Sequence, residues 1–155
     1  MLHPDSSSAG VLSEHVRSID HIGIAVWDLD AAIAHHEDLL GATVTVRRDL
    51  PDQGVAAAAL TLGTGAEIEL ISPLAPDGPI ARFLERAGSN LHHIAYEVDD
   101  IAASLAALTE AGVRLIDATA RPGLHGRPVA FLHPSGMYDV LTELIERREP
   151  GKEQE

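Results

Sequence analysis

Ile19-Asp20-His21-Ile22-Gly23-Ile24-Ala25-Val26 and Leu91-His92-His93-Ile94-Ala95-Tyr96-Glu97-Val98 read as one strand written twice. At a spacing of 72 residues His21 aligns with His93, Ile22 with Ile94 and Val26 with Val98, and the match runs on through Asp28/Asp100, Ala31/Ala103 and Ala34/Ala106. Further along, Glu69-Leu70-Ile71 is echoed by Glu143-Leu144-Ile145 at a spacing of 74, a drift that one loop insertion explains. Self-similarity of this length marks two copies of one supersecondary unit.

Each copy opens on a β-branched run of period two, passes an Asp suited to cap a helix, and continues into an amphipathic helix that stops at Gly41 or Gly112. Leu29, Ile33 and Leu40 form the apolar stripe of the first helix, and Ile101, Leu105 and Leu108 that of the second. Three shorter strands are predicted after each helix: about Thr43 to Arg48, Ala56 to Leu62 and Ala66 to Ser72, then Val113 to Ile116, Pro128 to Leu132 and Asp139 to Ile145. Between the copies, Asp77-Gly78-Pro79-Ile80 opens a short helix through Ala87, with Pro where its missing N–H costs little. The expected architecture is α+β, two paired βαβββ modules at about 18–75 and 91–147 in one curved sheet. The expected body is 18–147, between an N-terminal tail at 1–17 and a C-terminal tail at 148–155.

Composition narrows the function classes. The 155 residues carry a net charge of -13, so a nucleic-acid footprint or an anionic-membrane patch would oppose the global field. No run approaches the roughly 20 apolar residues of a membrane span, and Met1 to Ser18 has no apolar signal core, so the chain reads as cytoplasmic. With no cysteine, any metal must be held by His, Asp or Glu, and there are nine histidines to draw on.

Alternation puts His21, Gly23 and Ala25 on one face of the first strand, opposite Ile22, Ile24 and Val26. In the second copy His93, Ala95 and Glu97 share a face. Both copies thus set a histidine beside a residue too small to fill space, as on a cavity wall. If the modules pair, His21, Glu69, His93 and Glu143 face a common hollow at pseudo-symmetric positions. Two imidazoles and two carboxylates suit a divalent metal with room left for water or substrate. Other candidates read more plainly. Glu67 and Glu97 are expected to face solvent, His35 and His36 to lie on a solvated or half-buried helix face, and His92 to point away from His93 as a packed histidine. His125 and His133 fall in loops.

The set Ile19 to Val26, Asp52-Gln53-Gly54-Val55, Ile68 to Leu74, Leu91 to Ala95, Val98-Asp99-Asp100-Ile101, Gly112 to Asp117, His125-Gly126, Phe131 to Pro134 and Val140 to Leu144 resembles the methylmalonyl-CoA epimerase family, within the vicinal oxygen chelate (glyoxalase/dioxygenase-like) superfamily. The resemblance implies proton transfer at the carbon between a thioester carbonyl and a carboxylate, through a metal-stabilised enediolate. It implies a divalent ion, Co2+ before Mn2+, Ni2+ or Zn2+, on His21, Glu69, His93 and Glu143. Glu143 and Glu69 would be catalytic, with Gln53, His125, Gly126 and Ser135 at the substrate. Its other implications are a small-molecule acyl-CoA substrate, no nucleic-acid or membrane partner, and a homodimer. Ala57 stands where some members carry a second carboxylate base. Asp139 stands where a Gly is usual, and His35-His36 replaces aromatic residues. Arg47, Arg48, Arg121 and Arg127 are candidates for a basic rim that would meet the phosphates of CoA. Two other readings compete: a glyoxalase-like isomerase or dioxygenase of the superfamily, and a metal-free protein that sequesters a metabolite or drug.

Overall fold

The computed structural model describes residues 10–63 and 65–148. The strand β1 (Val16–Ala25) leads into the helix α1 (Leu29–Leu40), then β2 (Thr43–Leu50), β3 (Val55–Leu62) and β4 (Ala66–Pro73). The linking helix α2 (Pro79–Ala87) is followed by β5 (Asn90–Val98), α3 (Ile101–Glu110), β6 (Arg121–Pro122), β7 (Pro128–Leu132) and β8 (Leu141–Glu146). Among the described residues these form one eight-stranded sheet in the order β2-β3-β4-β1-β5-β8-β7-β6. β1 and β5 pair antiparallel at its centre, and each has the last strand of its own module alongside in parallel, β4 by β1 and β8 by β5. This is the curved, paired βαβββ sheet expected from the repeat.

The helix boundaries follow from local chemistry. Asp28 accepts from the Ala31 N–H and Asp100 from the Ala103 N–H, each filling one of the donors a helix start leaves open. Gly41 ends α1 in the left-handed region at φ 65°, its N–H returning to Glu37. On the convex face, Leu29 and Ile33 of α1 pack with Leu60 and Leu70, while Ile101, Leu105 and Leu108 of α3 pack with Val98, Leu132 and Leu144. On the concave face α2 presses Ile80 and Leu84 onto Ala25, Ala57 and Ile71. The alanine run of β3 is fully buried and serves both faces, Ala57 and Ala59 in the α2 cluster and Ala58 under α1.

Two expectations need correcting. Val113 to Ile116 is not a strand. It touches the sheet by one bridge, Leu115 to Leu132, and the outermost ladder is made instead by Arg121 and Pro122 against Pro128 and Val129. Before the sheet begins, residues 11–15 form a turn and Leu12 packs on the α3 side of the core with Val16. The tail expectation for 1–9 and 149–155 lies outside the described residues. No helix among the described residues is long and apolar enough to cross a membrane.

Candidate metal centre

The central antiparallel pair is interrupted three times, and two of the interruptions, the two beside the histidines, obey the repeat. Ile19 opposes Tyr96 and His21 opposes Ala95, which leaves Asp20 as an extra residue on β1. Gly23 opposes His93 and Ile24 opposes Leu91, which leaves His92 extra on β5. Asp20 and His92 are themselves 72 positions apart. A β-bulge re-aims side chains locally, and each of these turns the extra residue toward the histidine that follows it. Asp20 Oδ2 lies 2.8 Å from His21 Nδ1, and His92 Nδ1 lies 2.9 Å from His93 Nδ1. His92 therefore does not point away from His93, because strict alternation fails at the bulge.

With their Nδ1 atoms engaged behind, the two rings turn Nε2 toward each other, 3.1 Å apart. Glu69 Oε2 is 3.3 Å and Glu143 Oε1 3.8 Å from His21 Nε2, and Glu143 Oε2 is 3.5 Å from His93 Nε2. His21, His93 and Glu143 each offer one ligand atom within 4.8 Å of the others, and all three are buried. The ring of His93 lies over Gly23 so closely that a Cβ there would stand 2.0 Å from its Cε1. Phe131 closes the other side edge-on at 5.7 Å.

The electrostatics describe a site short of positive charge. Burial pushes Glu143 up to about 8, helped by the charge of Glu69. Burial also raises Glu69; His21 opposes that shift and the neighbouring Glu67 adds to it. Burial lowers His93 well below its ordinary value, and the charges of His21 and His92 push the same way. His21 goes against this trend: burial would lower it, but the Asp20 hydrogen bond and the charges of Glu69 and Glu143 prevail and hold it at about 9. Asp20 resists its own burial through His21 and Arg127, and is held down at about 2. Two Nε2 atoms and the buried Glu143 carboxylate within 4.8 Å of one another, with Glu69 beside His21, fit a divalent ion.

The structure brings His21, His93 and Glu143 together, and Glu69 joins them through His21 at 3.3 Å. The other sequence candidates lie around them. His125 donates its Nε2–H to Glu67 Oε1 at 2.7 Å, and its side chain is almost wholly buried. Gln53 reaches the Pro122 carbonyl at 3.4 Å from the short turn after β2. Gly126 sits in a turn at φ 77°, and Ser135 is exposed and bonded to His133. Glu67 and Glu97 are not simply solvated, since Glu67 faces His125 and Glu97 lies 3.7 Å from Arg127. His35 is exposed and His36 half-buried against the Ala32 carbonyl. Three of the four rim arginines are engaged locally: Arg47 with Asp30, Arg121 with Asp117 and Arg127 with Asp20. Asp20 and Arg127 join the site beyond the four ligand candidates, and hydrophobic alternation marks neither: Asp20 sits at a bulge, and Arg127 comes from 107 residues away.

Two cavities flank the centre. One of about 450 Å³ is mainly apolar, lined by Ile22, Phe83, Leu91, Ile94, Val140 and Leu141 with His92 and His93, and has Arg86 and Asp139 in its wall. The other, about 410 Å³, is polar and lies beside Asp20, Glu67, His125, Arg127 and Arg147. Volumes of this size suit a small-molecule ligand.

Residues 20–131 match the model of the Glyoxalase/Bleomycin resistance protein/Dioxygenase superfamily. The chain is 44% identical over 128 residues to the ethylmalonyl-CoA/methylmalonyl-CoA epimerase of Cereibacter sphaeroides, covering 81% of this chain and 95% of that protein. The crystal structure of methylmalonyl-CoA epimerase from Mycobacterium tuberculosis superposes with a TM-score of 0.83 at 37% identity, covering 95% of this chain and 97% of that one. A methylmalonyl-CoA epimerase solved in complex with methylmalonyl-CoA and NH4+ superposes with a TM-score of 0.81 at 34% identity, covering 84% and 94%. A shared sheet, nearly full-length coverage and this level of identity lead to one conclusion: the chain belongs to the methylmalonyl-CoA epimerase family of the glyoxalase/bleomycin resistance protein/dioxygenase superfamily.

Proposed function

We propose that the protein interconverts the stereoisomers of methylmalonyl-CoA by moving the proton on the carbon between thioester and carboxylate, with a divalent ion held by His21, Glu69, His93 and Glu143. The observation that carries this reading is the buried meeting of His21, His93 and Glu143, with Glu69 beside His21, in a chain of an epimerase family. Co2+ is the ion we assign, ahead of Mn2+, Ni2+ or Zn2+; nitrogen and oxygen donors suit all of these. When bound, the ion supplies a Lewis acid for the charge that develops on the two oxygens of an enediolate.

The chain's own groups then have definable work. Glu143, whose two oxygens lie 3.8 Å from His21 Nε2 and 3.5 Å from His93 Nε2, is the group we assign to take a proton from the carbon and give it back. Inversion needs a second group for the other face of the planar intermediate. Ala57 offers none, so we assign that part to Glu69, which lies 3.3 Å from His21 Nε2. Gln53, His125, Gly126 and Ser135 are proposed substrate contacts; His125 has the strongest support, since it bonds the carboxylate next but one to Glu69. The apolar cavity beside His93 offers room for the uncharged part of an acyl thioester, with Arg86 available to its anionic part. We further propose a cytoplasmic homodimer.

The test is proton NMR of methylmalonyl-CoA in D2O, with metal-loaded and chelator-stripped protein. Metal-dependent loss of the α-proton signal is the expected result. No exchange by protein shown to contain its metal would overturn the methylmalonyl-CoA assignment.

A further inference from the structure

Each histidine of the centre is backed, on the ring nitrogen away from the cluster, by the residue immediately before it. A regular strand would send those residues to the opposite face, and a bulge in each half prevents it. A bulge forfeits ladder hydrogen bonds, yet both copies of the repeat keep one, displaced by the same 72 residues. The two backing residues differ in kind. Asp20 is gripped in turn by Arg127, whose Nη2 lies 2.9 Å from Oδ1 while Nη1 reaches the Glu146 carbonyl at 3.4 Å, and the arginine side chain is only 10% exposed. His92 is uncharged when it accepts, and stands edge-on to Phe83 of α2 at 4.9 Å.

We propose that Asp20, held by Arg127, and His92 are positioning residues that fix the orientation and tautomer of His21 and His93, so that both rings present the Nε2 lone pair to the cation. The inference rests on the metal reading above. His21 donates its Nδ1–H to the Asp20 carboxylate. His93 donates its Nδ1–H to Nδ1 of His92, which keeps its own proton on Nε2. Such outer partners lock the ring and raise its basicity, and a carboxylate does so more strongly than an imidazole. The two halves therefore make unequal ligands from equal residues, and the loss of Asp20 should cost more than the loss of His92.

The experiment uses the full chain loaded with Zn2+, which is diamagnetic. Long-range 1H–15N spectra should show both His21 and His93 protonated on Nδ1 and metal-bound through Nε2. Chelator competition should find Zn2+ affinity about 10- to 100-fold weaker in Asp20→Asn. His92→Phe should weaken it by less, and Arg127→Gln should weaken it several-fold in the parent with no added loss in the Asp20→Asn background. That lack of additivity marks an arginine acting through the aspartate rather than through general stability. A proton on Nε2 of either ring would overturn the inference. So would Asp20→Asn within twofold of the parent, or an Arg127→Gln cost that is the same in both backgrounds. Should Asp20→Asn fail to fold, the spectra of the parent and of Arg127→Gln decide the question alone. Failure of the metal reading looks different, because the parent itself would then bind no Zn2+, and the inference would fall with it.

Discussion

Gly23 carries as much of the site as the histidine it faces. Alternation in the sequence already marks it as part of a small-residue wall, but the reason for the smallness is visible only in three dimensions. The repeat partner of Gly23 is Ala95, which tolerates a methyl group beneath the ring of His21, whereas a Cβ on Gly23 would stand 2.0 Å from His93 Cε1. Gly23→Ala should therefore displace the His93 ring and weaken divalent-metal binding at least tenfold, read by chelator competition on protein whose circular dichroism matches the parent. Equal affinity would mean that His93 can bind from another rotamer. The four ligand candidates were legible because they recur with the fold unit. Asp20, His92 and Arg127 were not, since a bulge leaves no mark on hydrophobic alternation and an arginine brought in from a distant loop has no local signature. Glu67 was read as solvated for a similar reason: its partner His125 arrives from the opposite module.

Local chemistry settles most elements, and the repeat makes them testable in pairs. Asp28 and Asp100 cap α1 and α3 in the same way, each accepting from the N–H three residues on, at 3.0 and 2.9 Å. Asp28→Ala and Asp100→Ala should each cost about 1 kcal/mol of stability in urea unfolding. The double variant should cost about their sum, because the two helices pack on different halves of the sheet. A buried leucine of the linking helix should matter more. Leu84 is 2% exposed on the concave core, so Leu84→Ala should cost about 2 to 5 kcal/mol. The one misread element shows where local pattern stops being informative. Val113 to Ile116 has the alternation of a strand because Val113 and Leu115 pack on the core. The N–H groups of Ile116 and Asp117 then both turn to the single carbonyl of Phe131, and the Asp117 side chain takes the Phe131 N–H at 2.8 Å. Ladder partners are thus used up after one bridge, a competition that no window of sequence displays.

At the scale of the whole molecule, the proposed metal centre should make the pH dependence of stability differ with and without metal. In the metal-free fold Glu143 titrates at about 8 against an ordinary 4.5, and His21 at about 9 against an ordinary 6.5. Both folded values lie above the unfolded ones, so between pH 6.5 and 9 the native state holds protons that the unfolded chain has already released, and stability must fall as pH rises. His92, lowered to about 4, and His93, lowered well below its ordinary value, act with the opposite sign only below about pH 6.5, outside this window. The metal-free protein should therefore lose stability from pH 6.5 to 9, on the order of 5 kcal/mol, followed by urea midpoints in the presence of chelator. A bound divalent ion takes the place of those protons. The loaded protein should show no such decline, and its gain over the metal-free form should grow with pH, since ligand deprotonation favours binding and binding to the native state alone adds stability by mass action. Parallel pH profiles for the two forms would mean that the charge imbalance of Glu69 and Glu143 is resolved by something other than a metal, and would turn attention to the cationic network of Arg127.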